Sequence, residues 1–330
     1  VVVDVFGALF KNFINRILQQ KPNILNLLAH STNIMKISHW IKAFRLRTLF
    51  LSLSCIWAGI LCVSTDQEIN PIVSWLNVLT ALFLQILSNL ANDYGDSVHG
   101  ADSDQRKGPK RMVQSGQISA KNMKIAMVIA AALSLLSGSL LLFFALPIIG
   151  TLAISSLFGI GILSILAAIA YTNGKRPYGY AGLGDISVFI FFGFVAVMGT
   201  QYLQTASISL NAVYLSIAYG GLSVGVLNLN NMRDIESDQT AGKKSIPVRL
   251  GLQKAQIYHS IVLVISFFGL NQFLRQISFP GDFTIPIAGI YLWNLIAAKK
   301  AKDYQSFDPL LKWLSLSTLL ITLIIYFGKP

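Results

Sequence analysis

PIVSWLNVLTALFLQILSNLANDYGDSVHGADSD, residues 71–104, is the stretch from which the fold is read. Residues 71–91 are uncharged and predominantly apolar, close to the twenty or so needed to carry a helix across about 30 Å of hydrocarbon. The run ends in Asp93, Asp96, Asp102 and Asp104, in a chain that has only 14 Asp and Glu in all. If the helix continues past Leu90, then Asn89, Asp93 and Asp96 share one face, because positions three and four apart are neighbours. A second group answers it at NLNNMRDIESD, residues 228–238, where Asn231, Asp234 and Asp238 repeat the spacing. The expectation is that the two faces confront each other across a cavity and hold Mg2+ on a diphosphate.

The rest of the chain has the same character. Over 330 residues the mean hydropathy is +0.60 and only 12% are charged, which excludes a soluble core and indicates an all-α polytopic membrane protein. Apolar runs at 48–65, 71–91, 124–145, 148–171, 185–204, 210–230, 256–276, 283–299 and 310–327 predict about nine transmembrane helices around a central cavity. Asp93 ends the second run and Asp234 the sixth, each preceded by Asn and followed by a basic loop, a pattern that suggests a pseudo-repeat of four helices with a site at the repeat interface. The loops on one side carry 21 of the 26 Lys and Arg residues. By the positive-inside rule those loops, and both Asp groups, are cytoplasmic, the C-terminus is outside, and the cell (inner) membrane is the expected location. A net charge of +12 spread among apolar runs fits a lipid surface, and no nucleic-acid partner is expected. Residues 1–34 form an extension without methionine, set apart from a single membrane domain at 35–330, and Met35 is the expected native start. Cys55 and Cys62 lack metal-site spacing and are read as packing residues.

Several residue types narrow the chemistry. Hard cations such as Mg2+ take oxygen ligands and are commonly held by one or two carboxylates plus substrate phosphates. The absence of His- or Cys-rich ligand sets excludes zinc, and no Walker-type loop argues for nucleotide hydrolysis. Cations flank the acids: Arg106, Lys107, Lys110 and Arg111 after the first group, and Arg233, Lys243, Lys244 and Arg249 in and after the second. Such side chains are suited to a leaving diphosphate, while Lys107, Lys121 and Lys124 are read in preference as topology signals. In AYTNGKRPYGYAGLGD, residues 170–185, Tyr171 and Lys175 are four apart and share a face if the helix persists. Asp185 opens the next span, where an acid also suits a helix N-terminus. His99 is read as a bystander and His259 as a satisfied polar residue within a span.

NDYGD at 92–96, AYTNGKRPYGYAGLGDISV at 170–188 and NNMRDIESDQTAGKKSIPVRLG at 230–251 resemble the polar loops of the UbiA superfamily of intramembrane aromatic prenyltransferases, over the chain from about Met35 to the C-terminus. Within it they are most similar to the branch that prenylates 1,4-dihydroxy-2-naphthoate in menaquinone synthesis. The resemblance implies that Asn92, Asp93 and Asp96 bind one Mg2+ and Asp234 and Asp238 a second, with Asn89 and Asn231 supporting them. It implies that Tyr171 and Lys175 act on the diphosphate, and that a polyprenyl diphosphate alkylates the naphthoate with loss of its carboxyl group, giving demethylmenaquinone. Gly100 departs from the NDxxDxxxD form of the superfamily, which puts Asp102 in doubt as a ligand. The same fold with another acceptor (4-hydroxybenzoate, homogentisate, a porphyrin or a lipid) is the alternative. A transporter is more remote, since mid-span positions are nearly free of charge.

Overall fold

The computed structural model describes residues 37–64, 66–100, 108–109 and 111–329. Two compact units divide the chain, Val1–Lys42 and Ala43–Pro330. Of the first, only Ile37–Lys42 are described, and they are helical. The expected 1–34 extension and Arg106, together with Lys107, Lys110, Asp102 and Asp104, lie outside the described residues.

The second unit is all-helical among the described residues. Its long elements are α1 (Leu46–Leu61), α2 (Pro71–Val98), α3 (Ala120–Ala170), α4 (Gly184–Thr205), α5 (Leu210–Arg233), α8 (Leu252–Gln276), α9 (Gly281–Lys300) and α10 (Phe307–Gly328). Two short helices, α6 (Ile235–Thr240) and α7 (Ile246–Leu250), fill the loop between α5 and α8. Local chemistry sets the starts. The Asn70 side chain accepts from the Ile72 and Val73 amides at 3.0 and 3.2 Å, with Pro71 at the first helical position, while Ser119 and Ser209 cap α3 and α5. Each satisfies donors that a helix start leaves open.

Among the described residues, six helices are long and apolar enough to cross a membrane, or seven if Ile37–Phe44 and Leu46–Leu61 count as one span. Nine is therefore not the count obtained. Part of the difference is α3, a single 51-residue element whose backbone breaks at Gly150 (φ 75, ψ 169), three residues after Pro147. The two runs at 124–145 and 148–171 are its arms. The run at 283–299 stays helical in spite of Pro286 inside it.

The most buried of these spans is α5, against which α4, α8 and α10 pack. Small residues permit this, as expected where close backbone approach replaces a hydrophobic driving force. A Cβ on Gly221 would fall 2.7 Å from Ser266 Cβ of α8, and one on Gly225 would fall 3.1 Å from Leu263 of α8 and 3.2 Å from Leu314 of α10. In α4 the stretch Phe189–Met198 is π-helical, and Gly193 lies against the Ser216 carbonyl of α5, 2.6 Å from where its Cβ would stand. On the other side α2 runs along α3, and α1 touches α2, α4 and α10. Gly221→Leu should overpack the α5–α8 seam at a cost of about 1–3 kcal/mol and lower the unfolding temperature in detergent. Gly159→Ala, with open space at its Cβ, should leave that temperature unchanged or slightly raised.

Candidate active site

A cavity of about 350 Å3 lies between α1, α2, α3, α4 and α5. One end is apolar, walled by Leu135, Gly138 and Leu142 of the first arm of α3, Phe158, Gly161 and Ile165 of the second, and Phe191 and Val195 of the π-helical turn. At the other end Asn89, Asn92, Asp96, Arg111, Tyr171, Asn231 and Lys243 converge. The two polar groups, far apart in sequence, therefore meet on one cavity. Asn231 is buried and its Oδ1 has no hydrogen-bond partner.

Charge at this end is balanced pair by pair. Arg111 Nη2 is 2.5 Å from Asp96 Oδ2, and its Nη1 donates to the Asn92 carbonyl, also at 2.5 Å. Tyr180 donates its hydroxyl to Asp96 Oδ1 at 2.8 Å. Burial, and after it the Asp96 carboxylate, pushes the Tyr180 phenol far up, so it stays protonated and a donor. Lys243 Nζ lies 3.1 and 3.2 Å from the two Asp238 oxygens. Burial alone works against the Lys243 ammonium, but Asp238 and Asp96 more than offset it and hold its pKa above the ordinary value. Asp238 is pushed up to about 6: burial raises it most, Lys243 opposes, and Asp234 and Asp96 raise it further. That Asp96 acts on Asp238 means the carboxylates of the two groups sense one another. Arg233 completes the set with a two-pronged contact to Asp234, Nε to Oδ1 at 2.9 Å and Nη2 to Oδ2 at 2.8 Å.

Several residues stand elsewhere than the spacing predicts. Asp93 is buried behind the cavity wall, where its oxygens accept from the Met112 and Val113 amides at 3.0 Å each. It ties down the loop that carries Arg111, so an acid expected as an Mg2+ ligand has both oxygens engaged as a structural anchor. Lys175 does not share a face with Tyr171. Helix α3 ends at Ala170, Gly174 turns the chain with φ 99, and Lys175 is exposed outside the cavity lining. Lys243 is the ammonium that acts on Tyr171, whose hydroxyl burial keeps protonated. Asp185 accepts from Tyr258 at 2.8 Å and is absent from the lining, as are Arg233, Asp234, Asp238 and the exposed Lys244; Asp238 is joined to the lining through Lys243. Asn89 does line the cavity while donating to the Phe44 carbonyl and Thr48 Oγ1. His99 has its ring nitrogens on the carbonyls of Gly95 and Gly174 and packs at a tilt of 50° against Tyr180, so it straps α2 to the 171–184 loop. Within its span, His259 contacts Asn294 through Nε2.

Two contributors escape motif reading. Thr172, next to Tyr171, donates to the Ala91 carbonyl at 2.9 Å and to Asn92 Oδ1 at 3.2 Å, seating the loop on α2. It can do so because Gly95 leaves room; a Cβ there would fall 2.5 Å from the Thr172 carbonyl. Tyr180 was within reach as the second tyrosine of RPYGYAGLGD.

Residues 52–317 match the model of the UbiA prenyltransferase family. The chain belongs to the UbiA prenyltransferase family. It is thus a prenyltransferase and a multi-pass membrane protein. A 1,4-dihydroxy-2-naphthoate octaprenyltransferase of Haemophilus influenzae is 46% identical over 236 residues, 70% of this chain and 75% of that protein. The protein of the same name from Escherichia coli is 43% identical over 234 residues, 70% and 74% of the two. Among solved structures, the prenyltransferase is similar to a UbiA homologue from Aeropyrum pernix, with TM-score 0.64 at 17% identity over 86% of this chain and 97% of that one. A homologue from Archaeoglobus fulgidus, bound to GPP and Mg2+, gives 0.58 at 14% over 87% and 99%. At such identities the likeness is one of fold.

Asp93→Asn should lower the unfolding temperature of the prenyltransferase in detergent, since the Met112 and Val113 amides use different carboxylate oxygens and the substitution sets an NH2 donor against one of them. A bond to a charged group is worth about 1.5–3 kcal/mol. Limited trypsin digestion should show faster cleavage at Arg111 than in wild type.

Proposed function

We propose that this prenyltransferase moves a polyprenyl chain from its diphosphate to 1,4-dihydroxy-2-naphthoate, with loss of carbon dioxide. The observation that carries the reading is the meeting of Asn92 and Asp96 with Asn231, beside Arg111 and Lys243, at the polar end of a cavity whose other end is apolar, with Asp238 held on that Lys243. The relatives named for the same acceptor, at up to 46% identity, support the choice of naphthoate.

Among the described residues, no three His, Cys, Asp or Glu side chains gather into a ready-made metal cage. The donor set nonetheless fits Mg2+. It is all oxygen, Asn231 Oδ1 is buried without a partner, and Asp238 carries a pKa raised toward 6 by burial and its anionic neighbours. Mg2+ bound with substrate phosphates asks for one or two carboxylates, not a cage. In this reading Asn92, Asp96, Asp234, Asp238 and Asn231 are the residues that hold two ions, and Asp93 supports Asn92 and Arg111 from behind. A Mg2+ ion held by these residues would supply positive charge to the departing diphosphate.

Arg111 and Lys243 turn from Asp96 and Asp238 toward the phosphate oxygens and stabilise the charge that develops as the allylic C–O bond breaks, its electron pair leaving with the diphosphate. Tyr180 and Tyr171 keep their protons and orient Asp96 and the phosphate end. Helices α3 and α4 keep water from the allylic cation and offer it the face of Phe191. The ring carbon bearing the carboxylate bonds to the cation, and loss of carbon dioxide returns its electron pair to the ring. The prenylated naphthalenediol that results is demethylmenaquinone in its quinol form. Lysine and arginine bias supports a cytoplasmic side of the cell membrane for this chemistry, with the C-terminus outside.

Purified protein in detergent, given Mg2+, farnesyl diphosphate and a panel of aromatic acceptors, should yield one product by mass spectrometry. That product is prenylated naphthoate less carbon dioxide, and EDTA abolishes it. Asp96→Asn and Asp238→Asn should each lower turnover by about a hundredfold or more. A product from another acceptor would discard the naphthoate reading, and full activity in either variant would discard these carboxylates as ligands.

A further inference from the structure

Behind Asp234 the site continues into a chain of alternating charge. Arg233, whose side chain is 0% exposed, grips Asp234 with two nitrogens and donates a third contact, from Nη1, to Asp308 Oδ1 in the first turn of α10. The same Asp308 oxygen accepts from Arg47 Nη1 of α1 at 3.1 Å. Arg47 lines the cavity, as does Asn230, whose Oδ1 accepts from Arg233 Nη2 at 2.8 Å. Gly108 lies flat on the guanidinium: a Cβ there would be 2.7 Å from Arg233 Cζ. Arg233 is thus confined between α5, α10 and the loop at Gly108, with two carboxylates competing for one buried cation.

We propose that Asp308 is a positioning residue that sets how readily Asp234 exchanges Arg233 for a metal ion. The inference rests on Asp234 being a metal ligand. A carboxylate held by a buried arginine binds a divalent cation only when that arginine has another anion to satisfy it, and Asp308 is that anion. It also keeps the Arg47 charge occupied at the cavity wall. Without Asp308, Arg233 closes on Asp234 alone, and two arginine charges oppose the entry of a cation. Residues that support metal ligands in this way typically change affinity on the order of tenfold to a hundredfold.

The test is a Mg2+ titration of purified protein in detergent with inorganic pyrophosphate, read as the rise in unfolding temperature, alongside the Mg2+ dependence of turnover. In wild type the temperature should rise with Mg2+. Asp308→Asn should need at least about tenfold more Mg2+ to reach half of its rise, and Asp308→Glu, which restores the charge, should recover most of the difference. A merely structural role would lower the starting temperature of Asp308→Asn and leave its Mg2+ half-point unchanged, which overturns the proposal. No response to Mg2+ in folded wild type would instead sink the metal reading itself. Should Asp308→Asn fail to accumulate folded, Arg47→Gln decides, because it leaves Asp308 to Arg233 alone. A half-point that falls below wild type by more than in Lys312→Gln, which removes an exposed cation from α10, the helix of Asp308, supports the relay; an equal or smaller change overturns it.

Discussion

Buried carboxylates matched to buried cations are what the rest of this structure depends on. Asp96, Asp234 and Asp238 are all buried, as are Arg111, Arg233 and Lys243. Removing one member of such a pair leaves an uncompensated charge away from water, at a cost of about 3–5 kcal/mol. The pairs also fix the loops that follow the helices: Arg111 ties the loop after α2 back to Asp96, Lys243 ties the loop after α6 back to Asp238, and Arg233 reaches farther, to Asp308 on α10. The polar end of the cavity is thus held by electrostatics, whereas below it glycine-mediated contacts of α5 with α4, α8 and α10 do the work.

The span pattern and both acid groups are legible in the sequence because each depends on local period alone. Helix α2 does run through Asp96 to Val98, as the spacing of Asn89, Asp93 and Asp96 requires. Spacing does not say which part of that face meets the cavity. Asn92 sits near the middle of the residues of α2 that line it, and at 3.6 residues per turn Asp93 points about 100° away. That offset sends Asp93 to the Met112 and Val113 amides, a tertiary partner no motif reveals.

Lys175 illustrates the converse. The Tyr171–Lys175 spacing has meaning only on a continuous helix, and the helix stops one residue before Tyr171. Gly174 at φ 99 makes continuation costly for any other residue type. Lys243, sixty-eight positions beyond Lys175 in number and adjacent to Asp238 in space, supplies the ammonium. Asp308 was invisible for a different reason: it is a lone acid at the start of an apolar helix, and its meaning comes from two arginines on α1 and α5.

The paired state of the site bears on the order in which substrates enter. A divalent cation arriving alone meets carboxylates already satisfied by Arg111, Lys243 and Arg233, and must displace those charges into a low-dielectric surrounding. A diphosphate arriving with it offers Arg111 and Lys243 an anion of their own, as Asp308 does for Arg233. On the proposed reading, exchange therefore favours metal and diphosphate together, with the carboxylates passing from protein cations to metal ions as the guanidinium and ammonium groups pass to phosphate. Net charge at the polar end changes little through the exchange, so a buried site can load a highly charged substrate without leaving an uncompensated ion at any stage.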